Sequence, residues 1–232
     1  MAEPGSVSPS VEDYAKAVYV LETRIGGAVS TNTLAERLEI TPGSASGMVR
    51  KLAEQGLVEH ERYRGVRLTA AGRTLALRVI RRHRLIEQFL AEALGMPWDR
   101  VHAEAEVLEH VLSGELEELI ATHLGDPDID PHGDPIPSVE FDLQEGETVG
   151  LDELPIGAVG RFVRVSDSDP EMLRYLAEQG IALGATLEVL ERQPFGGPLF
   201  VRFVHGGEGD RTLALGDALS RAMRVELAGG VE

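Results

Sequence analysis

Apolar residues recur every three or four positions through roughly the first half of the chain and at two-residue spacing through much of the last third. The first rhythm predicts amphipathic helices and the second predicts strands. Val11, Tyr14, Ala15, Val18, Tyr19 and Leu21 make one helical stripe, closed by Gly26-Gly27. A second helix opens at Ser30 or Thr31, either of which can accept a first-turn N–H. A short turn, Glu39 to Gly43, leads into a third helix through Ala45, Met48, Val49 and Leu52, stopped at Gly56. Residues 57–61 and 65–69 read as a hairpin with Arg62-Tyr63-Arg64 at its tip.

A long helix over about 70–94 follows, broken by Gly95-Met96-Pro97. Further helices are predicted over about 99–112 and 114–124. Residues 126–139 are rich in Pro, Asp and Gly and predict a loop, followed by an acidic linker near 140–150. Alternating runs at 157–165, 186–190 and 199–203, with one helix near 171–179, predict a small β-barrel. The expected fold is therefore mainly α with a small β part, with boundaries at 9–74, 75–140, a linker over 141–150, and 151–228. No internal repeat and no low-complexity tract interrupts it.

Helix, short turn, helix and basic hairpin is the plan of a winged helix-turn-helix, whose second helix enters the DNA major groove. In that reading Thr41, Pro42, Gly43, Ser44, Ser46, Gly47 and Arg50 face the DNA. Arg62, Arg64 and Arg67 of the wing meet phosphates, which positions the protein without specifying sequence.

Charge first seems to argue against this, because the 232 residues carry a net charge of -17. Residues 41–84, however, hold ten of the 22 Lys and Arg and only three of the 39 Asp and Glu, a local +7 against -24 elsewhere. A basic nucleic-acid-binding module joined to acidic ones has this asymmetry. There is no cysteine, which excludes disulfides, thiolate zinc sites and iron–sulfur clusters. No apolar run reaches the roughly 18 residues of a membrane span, and the N-terminus lacks a secretory pattern. The expected location is the cytoplasm, with no membrane partner.

The chemistry concentrates in His102-Ala103-Glu104-Ala105-Glu106-Val107-Leu108-Glu109-His110. At about 100° per residue, His102, Glu106, Glu109 and His110 share roughly a quarter of a helix circumference. Two imidazoles and two carboxylates on one face suit a divalent transition metal, and the carboxylate share favours a hard ion. His83 and Glu87 stand i, i+4 on the preceding helix, as do His102 and Glu106. Asp13, taken alone, reads as a charge stabilising its helix N-terminus. His60, His123 and His205 read as non-ligands, and His132 and Trp98 as packing residues. Leu85, Phe89, Val107, Leu108 and Val111 offer an apolar face for dimer packing.

These residues resemble the diphtheria-toxin-repressor family of metal-dependent transcription regulators over about residues 9–228, and most closely its three-domain manganese branch. The resemblance rests on Glu12-Asp13-Tyr14, on Leu52 to Val58, on Leu68 to Arg73, on Arg82 to Glu87, on His102 to His110 and on His132 to Pro137. It implies a winged helix-turn-helix, a helical dimerisation domain and an SH3-like, FeoA-like C-terminal barrel. It implies a regulatory metal site of Asp13, Glu106, Glu109 and His110. It implies a second site of His83, Glu87 and His102 completed from the C-terminal domain by Glu171, then Asp169 or Asp167. Iron-responsive members have Met at the Asp13 position and Cys at the Glu106 position, so carboxylates there shift preference toward Mn²⁺. Two-domain manganese members carry Glu where this chain has Lys16, which implies two separate sites here and not a bridged pair.

The expected function is a manganese-activated repressor of manganese-uptake genes, with Fe²⁺ as the alternative ion and other divalent ions able to substitute in vitro. It would bind a palindromic double-stranded operator as a homodimer, with recognition helices about 34 Å apart. Metal would favour the DNA-competent form by binding it better. A regulator with purely structural metals is the rival reading. An enzyme is not expected: the chain has no HExxH motif and no nucleophile constellation, and no small-molecule substrate is foreseen.

Overall fold

Helix α1 (Pro9–Ile25) begins at a proline, whose fixed φ suits a first helical turn. It ends at Gly26 in the left-handed conformation, φ 70°, with the Gly26 N–H donating to the Glu22 carbonyl. Between them Val11, Tyr14, Ala15 and Val18 are buried. Helix α2 (Thr31–Arg37) is capped by Ser30, whose hydroxyl accepts the Thr33 N–H at 3.0 Å. Helix α3 (Pro42–Glu54) is capped in the same way by Thr41, which accepts the Ser44 N–H at 3.2 Å. Pro42 and Gly43, expected in the turn, instead start this helix, because the Thr41 cap and Pro42 set its first turn. Strands β1 (Val58–Glu61) and β2 (Gly65–Leu68) pair antiparallel with Val58 opposite Leu68, and Val29 bridges to Val66 on the other side of β2. Helix α4 runs Ala70–Leu94, α5 Trp98–Leu108 and α6 Gly114–His123.

The structure is a computed structural model that describes residues 7–61, 65–204 and 209–227. They divide into two compact units, each with its own core. The first takes the chain up to Leu85 with Glu106–Thr122 and Ile136–Leu143. Its core joins Val11, Val18, Leu34, Val49, Leu52, Val66, Leu75 and Ile80. Phe141 and Leu143, placed by sequence in an acidic linker, pack against that core. Phe141 adopts φ 60° and lies under the Arg78 guanidinium, 5.3 Å from its ring centroid. Two apolar side chains in an acidic stretch are enough to dock it.

The second unit takes Ile86–Ala105, His123–Pro135 and the chain from Gln144. Its strands are β3 (Val149–Gly150), β4 (Val159–Val165), β5 (Thr186–Arg192), β6 (Leu199–Val204), β7 (Arg211–Leu215) and β8 (Met223–Leu227). Helix α7 (Pro170–Glu178) and the short α8 (Asp217–Ala222) complete it. The antiparallel order is β3-β8-β4-β5-β6-β7. The expected barrel is thus corrected to an open, SH3-like sheet, because β3 and β7 do not pair with each other among the described residues. Phe162, Leu187, Val201, Phe203 and Val225 fill its interior face. Gly133, at φ 85°, lies in the loop beside β4, where an added Cβ would be 2.0 Å from the Val163 carbonyl oxygen.

One boundary changes the chemistry. The metal-rich helix, expected to reach residue 112, ends at Leu108. The Leu108 carbonyl accepts both the Val111 and the Leu112 N–H, each at 3.1 Å, and this tightens the chain into a turn holding Glu109 and His110.

Candidate metal centres

In the first unit, α1 brings Glu12, Asp13 and Lys16 to the turn after α5. His110 is held from both sides: Nδ1 lies 2.7 Å from Glu12 Oε2 and Nε2 lies 2.9 Å from Asp13 Oδ1. Glu109 Oε1 is 3.6 Å from the same Nε2. Asp13, Glu109 and His110 therefore offer ligand atoms within 4.8 Å of one another. A histidine whose Nδ1–H is held by a carboxylate presents Nε2 as the coordinating atom, an arrangement common around metals.

A second triad, His83, Glu106 and Glu109, shares Glu109 with the first. His83 Nδ1 is 2.5 Å from Glu109 Oε2 and 3.7 Å from Glu106 Oε1. Lys16 Nζ donates to Glu106 Oε1 at 2.7 Å and to the two Glu109 oxygens at 2.8 and 3.0 Å. The Glu109 side chain is fully buried, whereas that of Asp13 is 39% exposed.

Burial raises the Asp13 carboxyl above its ordinary pKa, against the opposing pull of His110 and Lys16. Burial lowers the Lys16 pKa, but Glu109 and Glu106 outweigh it and hold the ammonium above its usual value.

In the second unit, Glu87 of α4, His102 of α5 and Asp167 converge within 4.8 Å. His102 Nδ1 is 2.9 Å from Asp167 Oδ2 and 3.2 Å from Glu87 Oε1. Hydrogen bonds to Asp167 and then Glu87 push the His102 pKa up to about 10. Burial would raise the Asp167 pKa, but the His102 hydrogen bond overcomes it and holds the carboxylate below its ordinary value. Glu87 also anchors a deeper cluster with Asp130 and His132, both buried. His132 is stacked on Trp98, donates through Nε2 to the Trp98 carbonyl at 2.7 Å, and puts Nδ1 3.8 Å from Glu87 Oε2. Asp130 Oδ1 accepts the N–H groups of His132 and Asp134 at 2.8 and 2.9 Å, which fixes this turn.

The sequence expectation is redistributed. His102, Glu106, Glu109 and His110 do not converge on one ion. His102 faces Glu87 and Asp167, Glu106 is taken by Lys16, and Glu109 and His110 meet Asp13. The helix ends before Glu109, so its rotation cannot carry all four to one face. Asp169 is the cap of α7, accepting the Glu171 and Met172 N–H groups. Glu171 follows in the exposed first turn of α7, and Asp167 is the acidic residue beside His102. Lys16 had a legible signal, since it stands three residues after Asp13 on the same helix face. His132 and Asp130 had none, because a loop has no period.

The DNA-facing expectation rests on α3. Thr41, Pro42, Gly43, Ser44, Ser46, Gly47 and Arg50 are exposed, while Ala45, Val49 and Leu52 are buried. Arg67 is exposed on β2. Arg62, Arg64 and His205 lie outside the described residues.

The donor atoms at both centres fit a divalent cation. They are all imidazole nitrogens and carboxylate oxygens, and around His110 the three carboxylates of Glu12, Asp13 and Glu109 outnumber the nearby Lys16 ammonium. That charge excess suits a hard ion. Among the described residues no helix is long and apolar enough to cross a membrane.

Residues 6–66 match the iron-dependent repressor N-terminal DNA-binding domain, 69–138 the iron-dependent repressor metal-binding and dimerisation domain, and 149–227 the FeoA domain. The iron-dependent repressor IdeR of Mycobacterium tuberculosis is 31% identical over 229 residues, covering 94% of this chain and 96% of that one. The diphtheria toxin repressor of Corynebacterium glutamicum is 32% identical over 232 residues, 95% and 97% of the two chains. A solved structure described as a manganese-dependent transcriptional repressor in complex with manganese is 42% identical, with a TM-score of 0.85 over 94% of this chain and 100% of that one. The manganese regulator SloR is 31% identical with a TM-score of 0.75, covering 96% of this chain and 100% of that one. With three successive family domains and relatives matched end to end, the chain belongs to the diphtheria-toxin-repressor family of metal-dependent transcription regulators, which act on DNA and are not enzymes.

Proposed function

We propose that this protein is a manganese-activated repressor that binds a palindromic operator as a homodimer and controls metal-ion uptake in the cytoplasm. The observation that carries this reading is the Asp13–Glu109–His110 triad, built without sulfur and spanning from the DNA-binding helices to the turn after α5. A divalent cation there would neutralise the excess carboxylate charge and cross-link α1 to that turn. Asp13 and His110 would hold it, and Glu12 would fix the His110 ring. Glu109 joins this centre to Lys16 and His83. Glu87, His102 and Asp167 would hold a second ion, with His83 one helical turn before Glu87 on α4. The working division is a DNA-binding region over 9–74, a helical region over 75–140 and a sheet region over 151–228.

On the DNA side, α3 presents its exposed small polar residues and Arg50, and the wing supplies phosphate contacts. The exposed Val107, Val111, Leu116 and Leu119 support dimer packing. Leu85, nominated for that face by sequence, is fully buried and serves the interior.

Iron(II) is the second reading, supported by the iron-dependent relatives and by a donor set that Fe²⁺ also accepts. Selection from random duplexes with metal-free protein, Mn²⁺ or anaerobic Fe²⁺ separates the two. Enrichment of a palindrome with Mn²⁺ alone is expected, and enrichment only with Fe²⁺ would move the assignment to iron. Equal enrichment without metal would make the centres structural. Asp13→Ala is expected to remove metal activation while leaving the melting curve of the metal-free protein intact.

A further inference from the structure

Glu22 is a buried carboxylate that neither metal centre uses. It lies on α1 among the buried Val18, Tyr19 and Leu21 and is 9% exposed. Its Oε1 accepts the backbone N–H of Leu68, at the end of wing strand β2, at 3.3 Å. Alternate residues of an antiparallel strand turn their N–H groups away from the partner strand. On that side of β2 the Val66 N–H goes to the Val29 carbonyl at 2.9 Å, and the Leu68 N–H goes to Glu22. The carboxylate thus stands in for a strand partner. Its other oxygen, Oε2, is buried and has no hydrogen-bond partner among the described residues. The half-exposed Arg73 guanidinium is 3.8 Å from it, beyond hydrogen-bond reach, and lies over the Tyr19 ring. A buried carboxylate held by one long hydrogen bond is costly, and an apolar side chain would serve stability as well. What the carboxylate adds is a directed link from α1 to the wing.

We propose that Glu22 is a positioning residue that holds the wing at a fixed angle to α1, so that Arg67 meets the DNA backbone. The inference rests on the reading of β1 and β2 as a DNA-contacting wing. Asp13 precedes Glu22 by nine residues on the same helix, about 13 Å along its axis. One end of α1 therefore serves the proposed metal centre and the other holds the wing. A shift of α1 on metal binding is passed to β2 in part through this contact. Loss of the carboxylate leaves the metal ligands in place and frees β2 to tilt.

The salt dependence of DNA binding reads this directly, because each phosphate contact adds about 0.9 to the slope of log affinity against log salt. Full-length protein with Mn²⁺ would be titrated by fluorescence anisotropy onto a labelled mixed-sequence duplex over a range of NaCl. Glu22→Met keeps the length without the acceptor, and Glu22→Asp keeps the charge but draws it back by one carbon. Both are expected to lower the slope at least as far as Arg67→Ala does, with the wild-type Mn²⁺ count. Glu22→Gln, whose amide oxygen still accepts the Leu68 N–H, is expected to keep the wild-type slope. Adding Arg67→Ala to Glu22→Met should change the slope no further. A side chain that served stability alone would lower the melting temperature and leave the slope as it is. Folded Met and Asp variants with the wild-type slope, or a double variant whose loss is the sum of the two, would overturn the proposal. Hydrogen exchange tests the link without a substitution: in wild type the Leu68 amide is expected to be as protected as that of Val66. A freely exchanging Leu68 amide would equally overturn it. Arg67→Ala with an unchanged slope would bring down the wing reading itself, a different result from unchanged Glu22 variants.

Discussion

Glu12 shows how much one carboxylate can do without touching a metal. Its hydrogen bond to His110 Nδ1 selects the tautomer and fixes the ring. Loss of such an outer partner typically costs ten- to a hundredfold in metal affinity. Glu12→Gln is therefore expected to weaken Mn²⁺ binding by about that factor in calorimetry, with the number of ions unchanged. His102 makes a prediction about pH. Its pKa is raised from 6.5 to about 10, so in chelator-treated protein its stabilising contribution is complete below pH 6.5 and fades as pH rises through about 10. The melting temperature of wild type minus that of His102→Gln should shrink across that window. A difference that instead grew with pH would mean the imidazole is neutral in the fold. The same proton has to leave before the ring can coordinate, so Mn²⁺ uptake at this centre should release it.

At the scale of elements, the caps and the glycines carry most of the local instruction. Ser30→Ala removes the α2 cap and is expected to cost about 1 kcal/mol in urea unfolding. Gly133→Ala should cost more, since the new methyl meets the Val163 carbonyl and the residue needs φ 85°. The helices of the DNA-binding region were legible because caps, stripes and stops coincide: Ser30, Gly26 and Gly56 each stand where the period breaks, whereas the Thr41 cap was read as part of a turn. The end of α5 was not, since Leu108 to Leu112 keeps a helical pattern of residue types and only a doubly used carbonyl ends it. That error put four ligands on one helix face. Residues 140–150 misled for a different reason, because their acidic composition hid Phe141 and Leu143. Strands β7 and β8, Arg211–Leu215 and Met223–Leu227, were not among the expected strands, although Met223, Val225 and Leu227 alternate with Arg224 and Glu226. For the candidate sites, the residue types were legible and their partners were not, because which imidazole meets which carboxylate is decided by packing between distant segments.

For the whole molecule, charge and exposed apolar surface make the predictions. DNA affinity should fall steeply with salt, as phosphate contacts release counterions. Arg67→Ala, on the wing, should weaken binding across sequences and lower the slope of log affinity against log salt by about one. Val111 is 76% exposed, and Val111→Glu is expected to convert a dimer into a monomer in sedimentation velocity. Wild type that sediments as a monomer at micromolar concentration would remove the basis for that variant. Glu109, finally, makes an unequal map of which changes the protein can survive. It is sealed from solvent and answers to Lys16, His83 and His110 together, whereas Asp13 stands half open at the rim. In a library of all substitutions scored separately for cellular abundance and for metal response, changes at Glu109 should fail on both scores. Changes at Asp13 should fail on response alone. Sensitivity to metal can then drift through the rim residue Asp13 without endangering the fold, while the buried carboxylate leaves almost no room for gradual adjustment.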